Sequence, residues 1–242
     1  MTRRPFIIVL VLAMVASFTA LGLWQLERAE EKQRLLDTFA ERAAADAVSL
    51  GALSGEPSQA AHRRVEVSGT FWKERQILRD NRIHDGRAGY HVITPFFPAD
   101  VNAVLLINRG WIPWGQRREE LPRFDTPAGQ LRLSGTLRLP PEDTMVLGPE
   151  EPHGGTWPRI VQTVDLAELT GALGRDLLPY VLLLDPEAPA GFVRQWSPLY
   201  GGIGPEKHRA YALQWFTFAT LMLVLSIAAA RRGAREDGDG RA

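Results

Sequence analysis

Histidine carries most of the chemistry open to this chain, which has five histidines and no cysteine. Disulfides, thiolate metal sites and thiol catalysis are therefore excluded, and any metal chemistry must use His, Met or carboxylate. His208 stands out by context. Lys207 and Arg209 flank it, and Tyr211, Trp215, Phe218 and Met222 follow at a 3-4-3-4 spacing that puts them on one face of a helix with it. A neutral imidazole can ligate iron, aromatic and aliphatic walls suit an apolar macrocycle, and nearby cations meet carboxylates. Haem uses all three features, with Arg28, Lys207 and Arg209 available to its propionates. The same residues also describe a plain membrane boundary, with a histidine among cations at headgroup level above a packing stripe. The residues alone leave both readings open.

Other titratable groups offer less. His84, Asp85 and His91 could meet across a hairpin and hold a metal, but the simpler reading puts His84 in a turn and His91 on a half-buried strand. Glu142-Asp143 and Glu150-Glu151 are adjacent carboxylates in Pro-rich turns, where neighbours do not face one another. His62 and His153 lie in loop-like sequence. The chain contains no GxSxG, P-loop, HExxH or GxGxxG pattern. Its formal net charge is zero over 242 residues, and it has no basic run interleaved with aromatics, so nucleic acid is not an expected partner.

Two elements must position His208. Residues 6–24, FIIVLVLAMVASFTALGLW, and 211–230, YALQWFTFATLMLVLSIAAA, carry no charge. Each gives roughly 30 Å of helix, enough to cross a bilayer core. Trp24, Tyr211 and Trp215 sit near span ends, where such rings favour the interface. A cleaved signal with Arg3-Arg4 as its basic start and Phe18-Thr19-Ala20 before the cut is the alternative for the first span. Its length favours a retained helix. A stripe of Met14, Ser17, Leu21 and Trp24, with Ala16 and Ala20 permitting close approach, is the expected packing face of this helix. Lys and Arg are nearly balanced across the two spans, and the Arg pairs at the extreme ends lean towards cytoplasmic termini. The expected organisation is a cytoplasmic N-terminus (1–5), a first transmembrane helix (6–24), a periplasmic β-rich domain (25–206), a second transmembrane helix with its interfacial start (207–230) and a cytoplasmic tail (231–242).

The middle reads as strands. RRVEVSGTF alternates apolar and polar residues, and RQILRD, GYHVITPF, AVLLINRGW, LRLSGTLRL and YVLLLD follow. Asp85-Gly86, Pro98-Ala99-Asp100 and Pro140-Pro141-Glu142-Asp143 separate some of them as turns. VDLAELTGAL predicts one short helix, with Asp165 as cap and Glu168 completing a capping box. In Asn108-Arg109-Gly110-Trp111-Ile112-Pro113, Gly110 allows an unusual backbone angle and Pro113 ends ladder pairing. Trp111 and Trp114 are expected to cover a barrel end, with a partner surface as the alternative. The tail REDGDGRA is expected to be disordered. The fold class expected is a membrane protein in which two transmembrane helices flank a β-rich extracytoplasmic domain, an antiparallel barrel or sandwich with a short helix.

Several motifs in order resemble one family. Gly22, Trp24, Gln25 and Arg28 resemble its G-x-W-Q-x-x-R. RRVEVSGTF is similar to its first loop strand, and Gly89-Tyr90 with VITPF resembles G-Y-x-V-x-T-P. INRGWIP resembles N-R-G-W/F-V-P, and His208, Tyr211, Trp215 and Phe216 resemble H-x-x-Y-x-x-x-W-[FY]. The family is the Surfeit locus protein 1 family, the assembly factors of cytochrome c oxidase. Departures are Gly204-Pro205-Glu206-Lys207 where an Asn often precedes the histidine, Arg209-Ala210 where Leu-Gln often follows, and Gln214 where Thr is common.

The resemblance implies a non-enzymatic, multi-pass protein of the bacterial inner membrane, with both termini cytoplasmic and a large periplasmic loop. It implies a role in maturing subunit I of a haem-copper oxidase through haem a, with His208 as iron ligand. The expected cofactor contacts are His208, Tyr211, Trp215, Trp24, Gln25, Arg28 and Arg209, with Arg28 or Arg209 holding propionates. Expected partners are the bilayer, oxidase subunit I and the haem a synthesis machinery. A scaffold that binds oxidase intermediates without haem is the competing function, and a membrane-tied periplasmic binding module unrelated to respiration is the third.

Overall fold

A computed structural model describes residues 3–115, 121–140, 156–196 and 203–239. Glu142, Asp143, Glu150, Glu151 and His153 lie outside them. The chain divides into two compact units, Met1–Thr38 with Leu199–Ala242, and Phe39–Pro198.

The first unit is helical. Helix α1 runs from Arg3 to Ala44. It does not stop where the apolar run ends at Trp24. LERAEEKQRLLDTFAERAA continues it with strong helix formers and neither Gly nor Pro, so residues 25–44, expected within the β-rich domain, are helical. The last helix, α4, runs from Pro205 to Asp239. Pro205 opens it at a position where a missing N–H costs nothing, and Glu206 favours its positive end. The tail was expected to be disordered, but the helix continues through Arg235–Asp239.

Both helices have a window apolar enough to cross a membrane, over Pro5–Ala44 and Pro205–Arg232. Phe6, Val9, Leu213 and Leu225 are all more than half exposed. Such surfaces are a liability in water and ordinary in hydrocarbon, so the chain is a membrane protein with two apolar helices.

The second unit is β-rich. It contains β1 (Val48–Ser49), a 3-10 turn, α2 (Pro57–Ala60), β2 (Arg64–Phe71), β3 (Ile77–His84), β4 (Arg87–Pro98), β5 (Val104–Pro113), β6 (Leu131–Arg138), β7 (Arg159–Val161), α3 (Leu166–Leu173) and β8 (Leu177–Leu184). The sheet closes through the extra pairing of β2 with β4, giving a ring β2-β6-β8-β5-β4. Closure leaves the five-stranded ring itself without an open edge, and the short β1 and β7 end the sheet outside it. The barrel is mainly antiparallel, with one correction: β5 and β8 run parallel, as do the peripheral pairs β1–β2 and β3–β7.

Burial explains the apolar runs. Leu105, Ile107, Leu182 and Leu184 point into the barrel core, and Leu106, Val181 and Leu183 face a second core built with Leu169 and Leu173 of α3. Strands buried on both faces lose polar alternation, which is why VLLI and YVLLL read as continuous. Asp165 caps α3, accepting from the backbone N–H of Ala167 and Glu168. Glu168 pairs with Arg159 at the end of β7.

Candidate functional site

His208 and Gln25 meet where α4 begins and the apolar part of α1 ends. Nδ1 of His208 lies 2.6 Å from the side-chain oxygen of Gln25. His208 is 9% exposed, and its Nε2 has no hydrogen-bond partner among the described residues. The helices are antiparallel, since the earlier Phe18 and Gly22 on α1 meet the later Phe218 and Phe216 on α4, while the later Gln25 and Gln33 meet the earlier His208 and Arg209. Phe18 stacks with Trp215 at 5.7 Å, Gly22 lies under the Phe216 ring, Gln25 meets His208, and Gln33 meets Arg209. Ala29 and Ala212 are almost fully buried along the same seam.

The packing face therefore differs from expectation. Phe18, Gly22, Gln25 and Ala29 form it, whereas Met14, Leu21 and Trp24 are all more than a third exposed, and Ser17, Ala16 and Ala20 are exposed as well. The true stripe is rotated by one residue, about 100° around the helix. A Cβ on Gly22 would stand 2.6 Å from the Phe216 ring, so close approach rests on Gly22. The 4-3-4 spacing of Phe18, Gly22, Gln25 and Ala29 is the signal that could have located this face.

Rotation about each helix also sorts the predicted contacts. Gly22 and Phe216 touch on one side of the seam, and so do Gln33 and Arg209. Trp24 and Arg28 rotate to the other side of α1, and Lys207, Tyr211 and Phe218 to the other side of α4. In an antiparallel pair these last two sides form one flank. Trp215 stands near the seam, in contact with Phe18 and Phe218. Trp24 is 50% exposed and Tyr211 43%. Thus His208, Tyr211, Trp215, Trp24, Gln25 and Arg28 gather at the seam or on one flank, and Arg209 does not join them. Arg28 is held by Glu31 at 2.5 Å. Lys207 is exposed on the aromatic flank and has no ion-pair partner among the described residues.

The histidines of the β-rich unit find local partners. His84 lies 3.4 Å from Asp85 and beside Trp111, and His91 is 3.3 Å from the Asn108 amide nitrogen. Burial holds His91 well below the usual imidazole range, at about 4, helped by Arg79 and Arg82. His62 stacks flat on Phe39 with ring centres 3.4 Å apart, and burial, with Arg138 and Arg42, lowers it to about 4 as well.

Arg109 is 1% exposed and donates to the carbonyls of Ala190 and Asp125 and to the Thr126 hydroxyl, each at 2.7 Å. The rings of Phe71, Phe124 and Phe192 surround its guanidinium, and burial pushes it down to about 10. Gly110, at φ +119°, turns the strand so that Trp111 can pair with Val193. Trp111 is buried and donates to Arg82, while Trp114 donates to Asp80. Arg109 and Trp111 therefore serve the interior and do not form a surface.

The sequence pattern of the SURF1 family matches residues 12–220, a span that includes Trp24, Gln25, the NRGW motif and His208. The chain belongs to the SURF1 family. A SURF1-like protein of Monosiga brevicollis is 27% identical over 233 residues, 90% of this chain and 85% of that protein. A SURF1-like protein of Rickettsia conorii is 25% identical over 219 residues, 88% and 86% of the two chains. Surfeit locus protein 1 of Takifugu rubripes is 28% identical over 144 residues, 53% of this chain and 60% of that protein.

Proposed function

We propose that this protein is a membrane assembly factor for a haem-copper terminal oxidase, holding haem a at His208 and passing it to subunit I. The observation that carries this reading is the His208 imidazole, whose Nδ1 is satisfied by Gln25 while Nε2 has no hydrogen-bond partner among the described residues. The surrounding residues fit such a group, because Trp24, Tyr211 and Phe218 give an aromatic flank at membrane depth and Arg28 and Lys207 give cations beside it. SURF1 membership supports the oxidase as destination.

In this reading both termini are cytoplasmic, residues 6–24 and 207–230 supply the membrane-spanning part, and residues 25–206 are periplasmic. The membrane is the bacterial inner membrane. Haem a, when bound, would supply an iron able to accept a nitrogen ligand. His208 offers Nε2, the aromatic flank excludes water, and Arg28 and Lys207 bind carboxylates. One protein ligand is a weaker hold than two, which suits a carrier that must release its load. The chain makes and breaks no covalent bond, so it is not an enzyme; the haem a synthesis machinery supplies the load.

A second reading is a scaffold that touches no haem. It is favoured by the close packing of Phe216 on Gly22, which makes the seam itself tight. On this reading the exposed flank packs against an oxidase helix. Removal of the gene from its host, followed by measurement of haem a in subunit I, separates the readings. The carrier predicts a severalfold loss that wild type restores and His208→Ala does not. A scaffold predicts full restoration by both. Unchanged oxidase without the protein would contradict both.

A further inference from the structure

Gln25 does not stand where a cofactor contact would. It lies in the seam, between buried Gly22 and buried Ala29 on α1, and its amide oxygen meets Nδ1 of His208 at 2.6 Å. A carbonyl oxygen can only accept, so Nδ1 must carry the hydrogen. In a neutral imidazole the other nitrogen then holds the lone pair, and Nε2 has no hydrogen-bond partner among the described residues. The main-chain N–H of His208 donates to the Gly204 carbonyl at 3.3 Å, which fixes the backbone of the residue in the first turn of α4. Without an acceptor at Nδ1, both tautomers and several ring orientations are open.

We infer that Gln25 is a positioning residue, one that fixes the ring and tautomer of His208 so that Nε2 is presented as the ligating nitrogen. Its consequence for iron rests on the haem reading above, whereas the hydrogen bond stands independently of it. A partner of this kind orients the ligand and raises its basicity. It also links the two helices, because the acceptor is on α1 and the donor on α4.

The test begins on ligand-free protein, labelled with 15N-histidine and held in detergent. Comparison with His208→Ala assigns the His208 ring signals. The expected spectrum shows a protonated Nδ1 and an unprotonated Nε2, with mixed tautomers in Gln25→Leu. Hydrogen on Nε2 in the wild type, or no change in Gln25→Leu, would overturn the assignment. Haemin titration then reads the consequence. Gln25→Leu should bind about ten- to a hundredfold more weakly. Gln25→Glu keeps an acceptor, so it should retain binding and lower the reduction potential of the bound iron. Equal affinity in Gln25→Leu and wild type would overturn the positioning role. Failure of wild type to bind haemin at all would instead overturn the haem reading, with the nitrogen spectrum still judging the hydrogen bond.

Discussion

At the residue scale, the seam between α1 and α4 divides cations that look equivalent along the chain. Lys207 and Arg209 both flank His208, yet Arg209 turns to Gln33 on one side while Lys207 falls with Arg28 beside Trp24 and Tyr211. Exposed charge pairs contribute about 0.2–1 kcal/mol each. Lys207→Ala and Arg28→Ala are therefore expected to weaken haemin binding about 1.4- to fivefold each, and Arg209→Ala to leave it nearly unchanged. Titration in detergent at low salt reads the difference, and equal losses in all three would show that the ligand does not choose this flank. The place of His208 at the helix junction was legible in the sequence from its neighbours. Its partner was not, because Gln25 and Trp24 are adjacent and nothing in the residues says which one turns inward.

At the element scale, the helix pair shows why its packing face was hard to read. Periodicity identifies a buried face when the other face is polar. Along residues 6–24 both faces are apolar, so the stripe of Met14, Ser17, Leu21 and Trp24 has no contrast with that of Phe18, Gly22 and Gln25. Small residues, not hydrophobicity, mark contact in a membrane. Gly22→Leu is expected to force the Phe216 ring aside and to destabilise the pair by about 1–3 kcal/mol, with Phe216→Ala restoring part of the loss. Thermal unfolding of the two variants and their combination checks this. Six strands were legible from alternation and turns, and Asp165 from its capping pattern. Strands β1 and β7, of two and three residues, are too short for any period to register. The parallel pairing of β5 with β8 depends on ring closure, which no local pattern encodes.

At the scale of the whole molecule, stability should depend on pH through two histidines of the β-rich unit. His62 and His91 are held near 4, against 6.5 when unfolded, chiefly by burial. Between those values the unfolded chain binds more protons, so stability is complete above about pH 6.5 and falls as pH drops towards 4. His62 faces Arg138 and Arg42, and His91 faces Arg79, Arg82 and His84, so a proton on either ring meets charge of its own sign. Unfolding followed by near-ultraviolet circular dichroism should show this decline, shallower in His91→Gln. A flat profile from pH 7 to 4 would contradict the buried neutral rings.

The measurement that bears most directly on function is the visible spectrum of the protein purified from cells that make haem a, beside that of His208→Ala. The expected result is a Soret band at one haem per chain in wild type, lost or shifted in the variant. Haem-free wild type that co-purifies with oxidase subunits would contradict haem carriage and leave the scaffold, and an unchanged band in His208→Ala would place the iron on another residue.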